Sequence, residues 1–292
     1  MTTIDWTLPA PAKLNLMLHI TGQREDGFHH LQTLFQLIDY GDRLEFKATT
    51  STKASVDLLC DITHLSASDN LIVRAAQLLL PHSTQFYEVQ ITLDKCIPMG
   101  GGLGGGSSDA ATALLALNQI WRCGFTKHQL ARMAAPLGAD IPVFVMGQSA
   151  WATGIGEQLT PVKIPTQWYV ICHPNIAVST ARVFADPHLT RNSQETTIQS
   201  ALAGLGRNDC EPVVRHNYPE IAAMLDTMND FGQARLTGTG ACGFIAVTHS
   251  TAASQVAQSL SSQYTTFVAC GIDESPVHDQ LRLLTHNSSN TD

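Results

Sequence analysis

The chain has 292 residues, of which 44% are apolar and 14% charged, a composition typical of globular proteins and unlike that of disordered or collagen-like chains. Seventeen lysines and arginines against 25 aspartates and glutamates give a net charge of −8. This charge argues against broad contact with nucleic acid or an anionic membrane, so an anionic ligand would have to be held by local donors.

The seven cysteines lie at least 27 residues apart, so they form neither a metal-ligand pattern nor a disulfide framework. The first residues contain no apolar run of the signal-peptide kind, and no later stretch approaches the ~20 apolar residues of a membrane span. We therefore expect a soluble, cytoplasmic protein with no membrane or nucleic-acid partner and no dedicated metal site.

The first half of the chain alternates between strand and helix patterns. Apolar periodicity predicts strands at 12–20, 43–47 and 89–93 and a helix at 70–80. In the first of these strands Lys13 and Asn15 share one face, because successive side chains of a strand point to opposite sides. This opening segment is therefore predicted to be rich in β structure.

A glycine-rich segment follows the last of these strands and leads into a helix. Residues 98–109 read PMGGGLGGGSSD, and residues 110–117 are strong helix formers, with Ser107, Ser108 and Asp109 as candidate N-caps. A helix N-terminus offers free N–H groups and a partial positive charge, and glycines let phosphate oxygens approach closely. The pattern predicts a phosphate-binding loop, with a flexible surface turn as the alternative.

Other nucleotide-binding motifs fit less well. Residues 100–105 and 238–243 both satisfy G-x-G-x-x-G, but no acidic residue that could hold a ribose occurs between Asp109 and Asp140, and a strand pattern follows the second match. The loop lacks the Lys-Ser/Thr ending of a Walker A motif. The Asp-Phe-Gly at 230–232 has no protein-kinase catalytic loop before it.

The second half has the pattern of a separate domain. Periodicity predicts strands at 168–173, 234–237, 244–247 and 267–272 and helices at 219–231 and 252–260. This β-α-β-β-α-β order is that of a ferredoxin-like fold. Prolines near 159–168 suggest the boundary, so we expect domains at 1–160 and 161–282 and a polar tail at 283–292; the arrangement of 174–218 stays open.

Three separated segments resemble one family of small-molecule kinases. These are 11–16, 98–108 and 236–243, and the family is that of galactokinase, homoserine, mevalonate and phosphomevalonate kinases (GHMP kinases). The resemblance implies an α+β, two-domain GHMP kinase-like architecture. Its N-terminal domain would be a ribosomal-S5-domain-2-like α/β domain that binds ATP, and its C-terminal domain would be ferredoxin-like.

Three further segments narrow the resemblance to one branch of that family. Residues 24–29, 31–35 and 137–144 are similar to the kinases of the non-mevalonate isoprenoid route that phosphorylate the 2-hydroxyl of 4-(cytidine 5′-diphospho)-2-C-methylerythritol. That alcohol and ATP would be the small-molecule partners, and Mg²⁺ would be carried mainly by ATP phosphates and water. Phe28 stands where this branch usually has tyrosine, which keeps a stacking face and loses a hydroxyl.

The resemblance also implies the site residues. Lys13 and Asp140 would be catalytic. The ATP-binding residues would be Asn70, Leu71, Lys95, Pro98, Met99, Gly100, Gly101, Gly102, Leu103, Gly104, Gly105, Gly106, Ser107 and Ser108. The substrate-binding residues would be Asn15, Phe28, His29, Phe184, Thr237, Gly238, Thr239 and Gly240.

Each of these roles has a structural alternative. Asp140 could accept the substrate proton or cap a helix, and Lys13 could stabilise the transferring phosphoryl group or lie on a solvated strand face. Residues 237–243 could hold the substrate diphosphate or form a hairpin turn. A homoserine- or mevalonate-type kinase is the second hypothesis, and a nicotinamide dehydrogenase or a non-catalytic nucleotide-binding module are further alternatives. We expect a monomer or weak homodimer.

Overall fold

A computed structural model describes residues 3–60 and 69–288 of the chain. Its strands are β1 (Thr3–Gln23), β2 (His29–Thr50), β3 (Ser55–Leu59), β4 (Tyr87–Asp94), β5 (Ala150–Thr153), β6 (Gln158–Pro161), β7 (Trp168–His173), β8 (Arg235–Leu236), β9 (Gly243–Val247) and β10 (Thr265–Ile272). Its α-helices are α1 (Leu71–Leu79), α2 (Gly105–Ile120), α3 (Lys127–Ala134), α4 (Ile141–Met146), α5 (Thr180–Ala185), α6 (Ile198–Leu202), α7 (Glu211–Asn217), α8 (Pro219–Asn229), α9 (Ser250–Leu260) and α10 (Pro276–Ser288).

The first half is a sheet covered by helices. Strands β1 and β2 pair antiparallel along most of their length, β2 also pairs with β4 and β5, and β3 adds parallel to β4. Helices α1 to α4 pack together against this sheet. Their apolar faces share one core with the strands, in which Phe46, Leu114 and Val143 are fully buried. Burial of this apolar surface is the main source of stability for the layer.

Strand β1 is longer than the predicted 12–20 and is buried on both of its faces. Leu14 is inaccessible, but Lys13 and Asn15 on the other face are also only 2% and 3% exposed. Shifts in register occur between Pro11 and Lys13 and after Asn15, as β-bulges produce. The alternative in which Lys13 lies on a solvated strand face is therefore wrong, because that face of β1 is covered by protein.

The second half has the predicted ferredoxin-like order. Its strands lie in the order β10-β7-β9-β8 and are antiparallel throughout. Helices α8 and α9 pack on one side, where Met224, Leu225 and Ile245 form a buried core. The predicted strand at 168–173 and the predicted helix beginning at Pro219 are confirmed, since both have strong local patterns.

The two halves are joined by more than one crossing of the chain. Strand β10 pairs with β2 through Gly271 and Ile272, which makes the sheets continuous. Helix α10 then returns to the first half, where Val277 and Leu281 join its core. This differs from the expected division, which assigned residues up to 282 to the second domain and 283–292 to a polar tail. Residues 289–292 lie outside the described part of the chain.

The connection at 174–218, which the sequence left open, contains the short helices α5, α6 and α7. It runs back along β1: Ser193 N–H donates to the Ile20 carbonyl, and Asp209 N–H to the Leu18 carbonyl. This path brings a segment of the second half against the edge of β1 that does not pair with β2. Within residues 3–60 and 69–288, no helix is both long and apolar enough to span a membrane.

Candidate active site

A cleft of about 1010 Å³ lies where the two halves meet. Most of the site residues implied by the family resemblance line it: Lys13, Asn15, Phe28, His29, Asn70, Leu71, Lys95, Pro98, Met99, Gly100, Gly101, Gly102, Leu103, Gly104, Gly105, Gly106, Ser107, Asp140, Phe184, Gly238 and Thr239. Several separate stretches of the sequence therefore share one cavity, as a site for two substrates requires.

Three of the implied residues do not line the cleft. Ser108 Oγ donates to the Pro11 carbonyl and its N–H to the Gly104 carbonyl, so both donors are used within the protein. Thr237 is fully buried, and Gly240 N–H donates to the Thr237 carbonyl. Ser108 therefore has structural hydrogen bonds within the protein, and its contact with a phosphate stays a prediction.

Helix α2 begins inside the glycine segment, earlier than the expected N-caps at Ser107, Ser108 and Asp109. The N-cap is Gly104, which has a left-handed conformation (φ 73°) and no side chain to cap the helix. The N–H groups of a first helical turn have no partners within the helix. An uncapped N-terminus that faces a cleft offers these donors and the helix dipole to an anion such as a phosphate.

The two glycine-rich segments are hydrogen-bonded to each other. Ala241 N–H donates to the Gly100 carbonyl over 2.9 Å, and Cys242 N–H donates to the Gly101 carbonyl over 3.0 Å. At Gly102 the approach is closest, since a Cβ there would lie 2.1 Å from the Thr237 carbonyl oxygen. Residues 237–242 therefore form the turn that supports the first segment, and Gly238 and Thr239 are the part of it that reaches the cleft.

Lys13 and Asp140 meet at the cleft. Lys13 Nζ lies 3.3 Å from Asp140 Oδ2 and also donates to Asn15 Oδ1 and, over 2.9 Å, to the Gly102 carbonyl. Asp140 occupies the N-cap position of α4, but its side chain makes no capping hydrogen bond. The capping alternative for Asp140 is therefore wrong, because its carboxylate is directed to the lysine.

Asn15 is held in one orientation. Its Nδ2 donates to Thr33 Oγ1 over 2.8 Å, and Thr33 in turn donates to the Met17 carbonyl over 2.6 Å. Its Oδ1 faces the Lys13 ammonium, which can only donate. Thr33 was missed in the sequence as a site residue, although it lies in one of the segments that carry the family resemblance.

Lys95 was expected near the adenine and lines the cleft, but its ammonium is held by two carboxylates. It forms ion pairs with Asp42 and with Asp109, the latter at 2.8 Å. Burial opposes its charge, yet the two carboxylates outweigh burial and raise the pKa of Lys95. For Asp109, burial disfavours the charged carboxylate and raises its pKa to about 7. Asn70 also has a structural role, since its Oδ1 caps α1.

The other end of the cleft is aromatic. Phe28 is 57% exposed, whereas His29 is buried with its ring centroid 5.2 Å from that of Phe184. Arg191 Nε donates to His29 Nε2 over 3.1 Å. Desolvation, aided by the Arg191 charge, lowers the pKa of His29, which keeps its imidazole neutral. An exposed ring beside a neutral imidazole suits a flat heteroaromatic base.

Arg191 and Asp42 were missed by sequence reasoning. Neither belongs to a local motif, and their partners lie far away in the chain: Arg191 contacts His29, and Asp42 contacts Lys95. No periodicity or spacing signals such pairs. Among the residues described, no group of three or more His, Cys, Asp or Glu side chains could hold a metal ion.

Comparison with known proteins identifies the family. The model of the GHMP kinase N-terminal domain matches residues 70–148, and that of the GHMP kinase C-terminal domain matches residues 189–266. The 4-diphosphocytidyl-2-C-methyl-D-erythritol kinase of Pseudomonas aeruginosa (strain UCBPP-PA14) is 49% identical over 282 residues, which cover 97% of this chain and 99% of that protein. The same-named kinase of Pseudomonas fluorescens (strain Pf0-1) is 47% identical over 97% of this chain and 100% of its own length.

Solved structures agree. A crystal structure of a 4-(cytidine 5′-diphospho)-2C-methyl-D-erythritol kinase superposes with a TM-score of 0.78 at 31% identity and covers 91% of this chain and 99% of its own. Homoserine kinase from Cytophaga hutchinsonii has a TM-score of 0.67 at 16% identity, covering 94% and 96%, which supports the fold alone. The chain belongs to the GHMP kinase family, in its branch of 4-diphosphocytidyl-2-C-methyl-D-erythritol kinases.

Proposed function

We propose that this protein uses ATP to phosphorylate the 2-hydroxyl of 4-(cytidine 5′-diphospho)-2-C-methyl-D-erythritol, in the non-mevalonate route to isoprenoid precursors. The single observation that carries the proposal is the Lys13–Asp140 pair, 3.3 Å apart, at the cleft that the uncapped start of α2 also faces. The identity to kinases of that name over nearly the whole chain supports the choice of substrate.

The proposed reaction needs a site for phosphates and a base. Phosphate oxygens of ATP accept hydrogen bonds from the first-turn N–H groups of α2, whose glycines allow close approach. Asp140 accepts the proton of the 2-hydroxyl while the hydroxyl oxygen bonds to the γ-phosphorus of ATP. The bond between the γ-phosphorus and the oxygen that bridges to the β-phosphate breaks, which releases ADP. Lys13 lies close enough to offset negative charge on the transferring group.

The aromatic end of the cleft supports a nucleotide-linked acceptor. On β2, Phe35 pairs with Asn15, and His29 lies six residues before Phe35, at the start of the strand. At about 3.3 Å per residue this separation is roughly 20 Å of strand. A small alcohol alone cannot reach between these points, but an alcohol joined through a diphosphate to a base is an extended molecule. In this proposal the base stacks on Phe28 beside His29 and Phe184.

Mg²⁺ enters this proposal with ATP. The ion prefers phosphate oxygens and water, and the described residues contain no metal-ligand cluster of their own. It would neutralise phosphate charge when bound. We also propose a monomer or weak homodimer, which light scattering coupled to size-exclusion chromatography would check: a concentration-independent larger assembly would contradict it.

One assay tests the function. Purified protein with ATP and Mg²⁺ is offered the cytidine-diphosphate methylerythritol, homoserine or mevalonate in separate reactions, and ADP release is followed together with ³¹P NMR of the product. We expect ADP release and a new phosphomonoester only with the first alcohol. Release with homoserine or mevalonate instead would favour another kinase of the family, and ATP binding without turnover of any alcohol would favour a non-catalytic module.

A further inference from the structure

The contact between Arg191 and His29 determines which ring nitrogen of the histidine carries the proton. A guanidinium has only donors and stays protonated at any ordinary pH. Since Arg191 Nε donates to His29 Nε2 over 3.1 Å, that nitrogen must supply a lone pair. A neutral imidazole has one N–H, so the proton is on Nδ1.

The guanidinium itself is fixed by the backbone around it. Its Nη1 donates to the Leu189 carbonyl, and its Nη2 donates to the carbonyls of Phe184 and Asp186, at 2.8 to 3.2 Å. With the bond to His29, four of its five N–H groups have partners. The ring of Phe184 packs against the His29 ring from the same segment. Both the arginine and the histidine are therefore held in one orientation at the edge of the cleft.

The proton position matters because pyrimidine bases differ at one ring atom. N3 of cytosine is an acceptor, whereas N3 of uracil carries a hydrogen and is a donor. A fixed Nδ1–H donor can bond to the first and leaves the second with two donors facing each other, which costs more than a missing contact because both groups stay unpaired. A histidine free to change tautomer could serve either base.

We propose that Arg191 is a positioning residue that holds His29 as the Nδ1–H tautomer and thereby makes the cleft select cytosine over uracil. The inference rests on the proposed function only in taking the aromatic end of the cleft as the base site. The lowered pKa of His29 agrees with it, since a doubly protonated ring could not accept from Arg191.

The test compares the binding of CDP and UDP by calorimetry in the wild type, in Arg191→Met and in Arg235→Met. Arg235 is a matched control, because it also donates to two backbone carbonyls, those of Leu16 and Gly204, but it does not line the cleft. We expect the wild type and Arg235→Met to prefer CDP by at least about tenfold, and Arg191→Met to bind both within about threefold. An unchanged preference in Arg191→Met would overturn the inference.

A second measurement does not depend on the variant folding. In ¹⁵N NMR of the wild type, with His29→Gln used for assignment, we expect a protonated Nδ1 and an unprotonated Nε2 at neutral pH. The opposite tautomer, or an imidazolium, would contradict the proposal. Neither measurement involves phosphoryl transfer, so a wild type that fails the kinase assay would refute the proposed function while this inference is judged on its own.

Discussion

Lys13 and Asp140 form an ion pair whose two members differ sharply in exposure: the lysine side chain is 3% accessible and the aspartate side chain 33%. The cleft therefore meets the carboxylate, while the ammonium lies behind it against Asn15 and the Gly102 carbonyl. A hydroxyl arriving from the cleft would find the acceptor first, which is the order that proton removal requires.

Replacing Asp140 by asparagine should slow turnover without weakening nucleotide binding. The amide keeps the size of the side chain but cannot take the proton, so we expect kcat to fall at least ~10²-fold while the Kd for ATP changes by less than about threefold. Steady-state kinetics and calorimetry measure the two. Asp57→Asn, on the exposed face of β3, is the control and should behave as the wild type; turnover near normal in Asp140→Asn would refute the assigned role.

Lys13→Met should lower the rate more than the affinity for ATP. The substitution keeps much of the buried stem but removes the charge next to the transferring group, a kind of loss that typically costs ~10²- to 10³-fold in kcat. The comparison is Lys47→Met, an exposed lysine of β2. Equal losses in kcat and in ATP affinity would instead indicate a lysine that contributes ground-state binding alone.

Gly102→Ala should disrupt the nucleotide loop. Gly124→Ala is its control, because it introduces the same backbone strain without a steric clash. Both glycines have φ near +76°, but a Cβ at Gly102 meets the Thr237 carbonyl at 2.1 Å, whereas nothing lies within 4 Å at Gly124. Gly124→Ala should cost about 1–2 kcal/mol of stability and leave the KM for ATP unchanged. Gly102→Ala should cost more and raise that KM at least about tenfold. Urea unfolding measures the loss of stability, and steady-state kinetics measures the KM for ATP. Equal losses of stability and equal KM values in the two variants would contradict the close contact at Gly102.

Phe28→Ala should weaken binding of the cytidine substrate. Removing an aromatic ring that stacks on a base typically costs ~1–3 kcal/mol, so we expect the Kd for CDP to rise about tenfold or more. Phe86→Ala removes a ring of similar exposure, 49% against 57%, that does not line the cleft, and should leave CDP binding unchanged. If Phe28→Ala also binds CDP normally, the base does not stack on this ring.

Asp109 should give the protein a measurable pH dependence of stability. Its folded-state pKa is raised by burial from 3.8 to about 7, so the folded state holds this proton more tightly than the unfolded state. That contribution to stability is complete below about pH 4 and is lost as the pH rises through about 7. Relative to Asp109→Asn, the wild type should therefore lose free energy of unfolding between these values in urea titrations, whereas Asp57→Asn should run parallel to the wild type. A flat difference between wild type and Asp109→Asn would show that Asp109 titrates normally.

The features that could be predicted from the sequence are those with strong local patterns. The Ala/Leu-rich stretch after the glycine segment predicted α2, although the helix begins at Gly105, before the expected N-caps. The largely apolar run at 168–173 predicted β7, because helix propensity and strand patterns act over neighbouring residues. The family resemblance directed attention to Lys13 and Asp140, which the structure brings together.

The features that could not be predicted depend on contacts between distant residues. Alternation in β1 suggested one solvated face, whereas Lys13 is buried by residues distant in the sequence, its ammonium contacting the Gly102 carbonyl and Asp140. The withdrawal of Lys95 into an ion pair with Asp42, and the return of α10 to the first core, likewise have no local sign. Propensity describes a segment, whereas these arrangements are set by tertiary packing.

The backbone hydrogen bonds from Ala241 and Cys242 to Gly100 and Gly101 have a thermodynamic consequence for ligand binding. A free loop of this composition would lose a large amount of backbone entropy on closing around a phosphate. Here most of that loss already occurs when the chain folds. The loop is preorganised, so the affinity for the nucleotide is not reduced by ordering it.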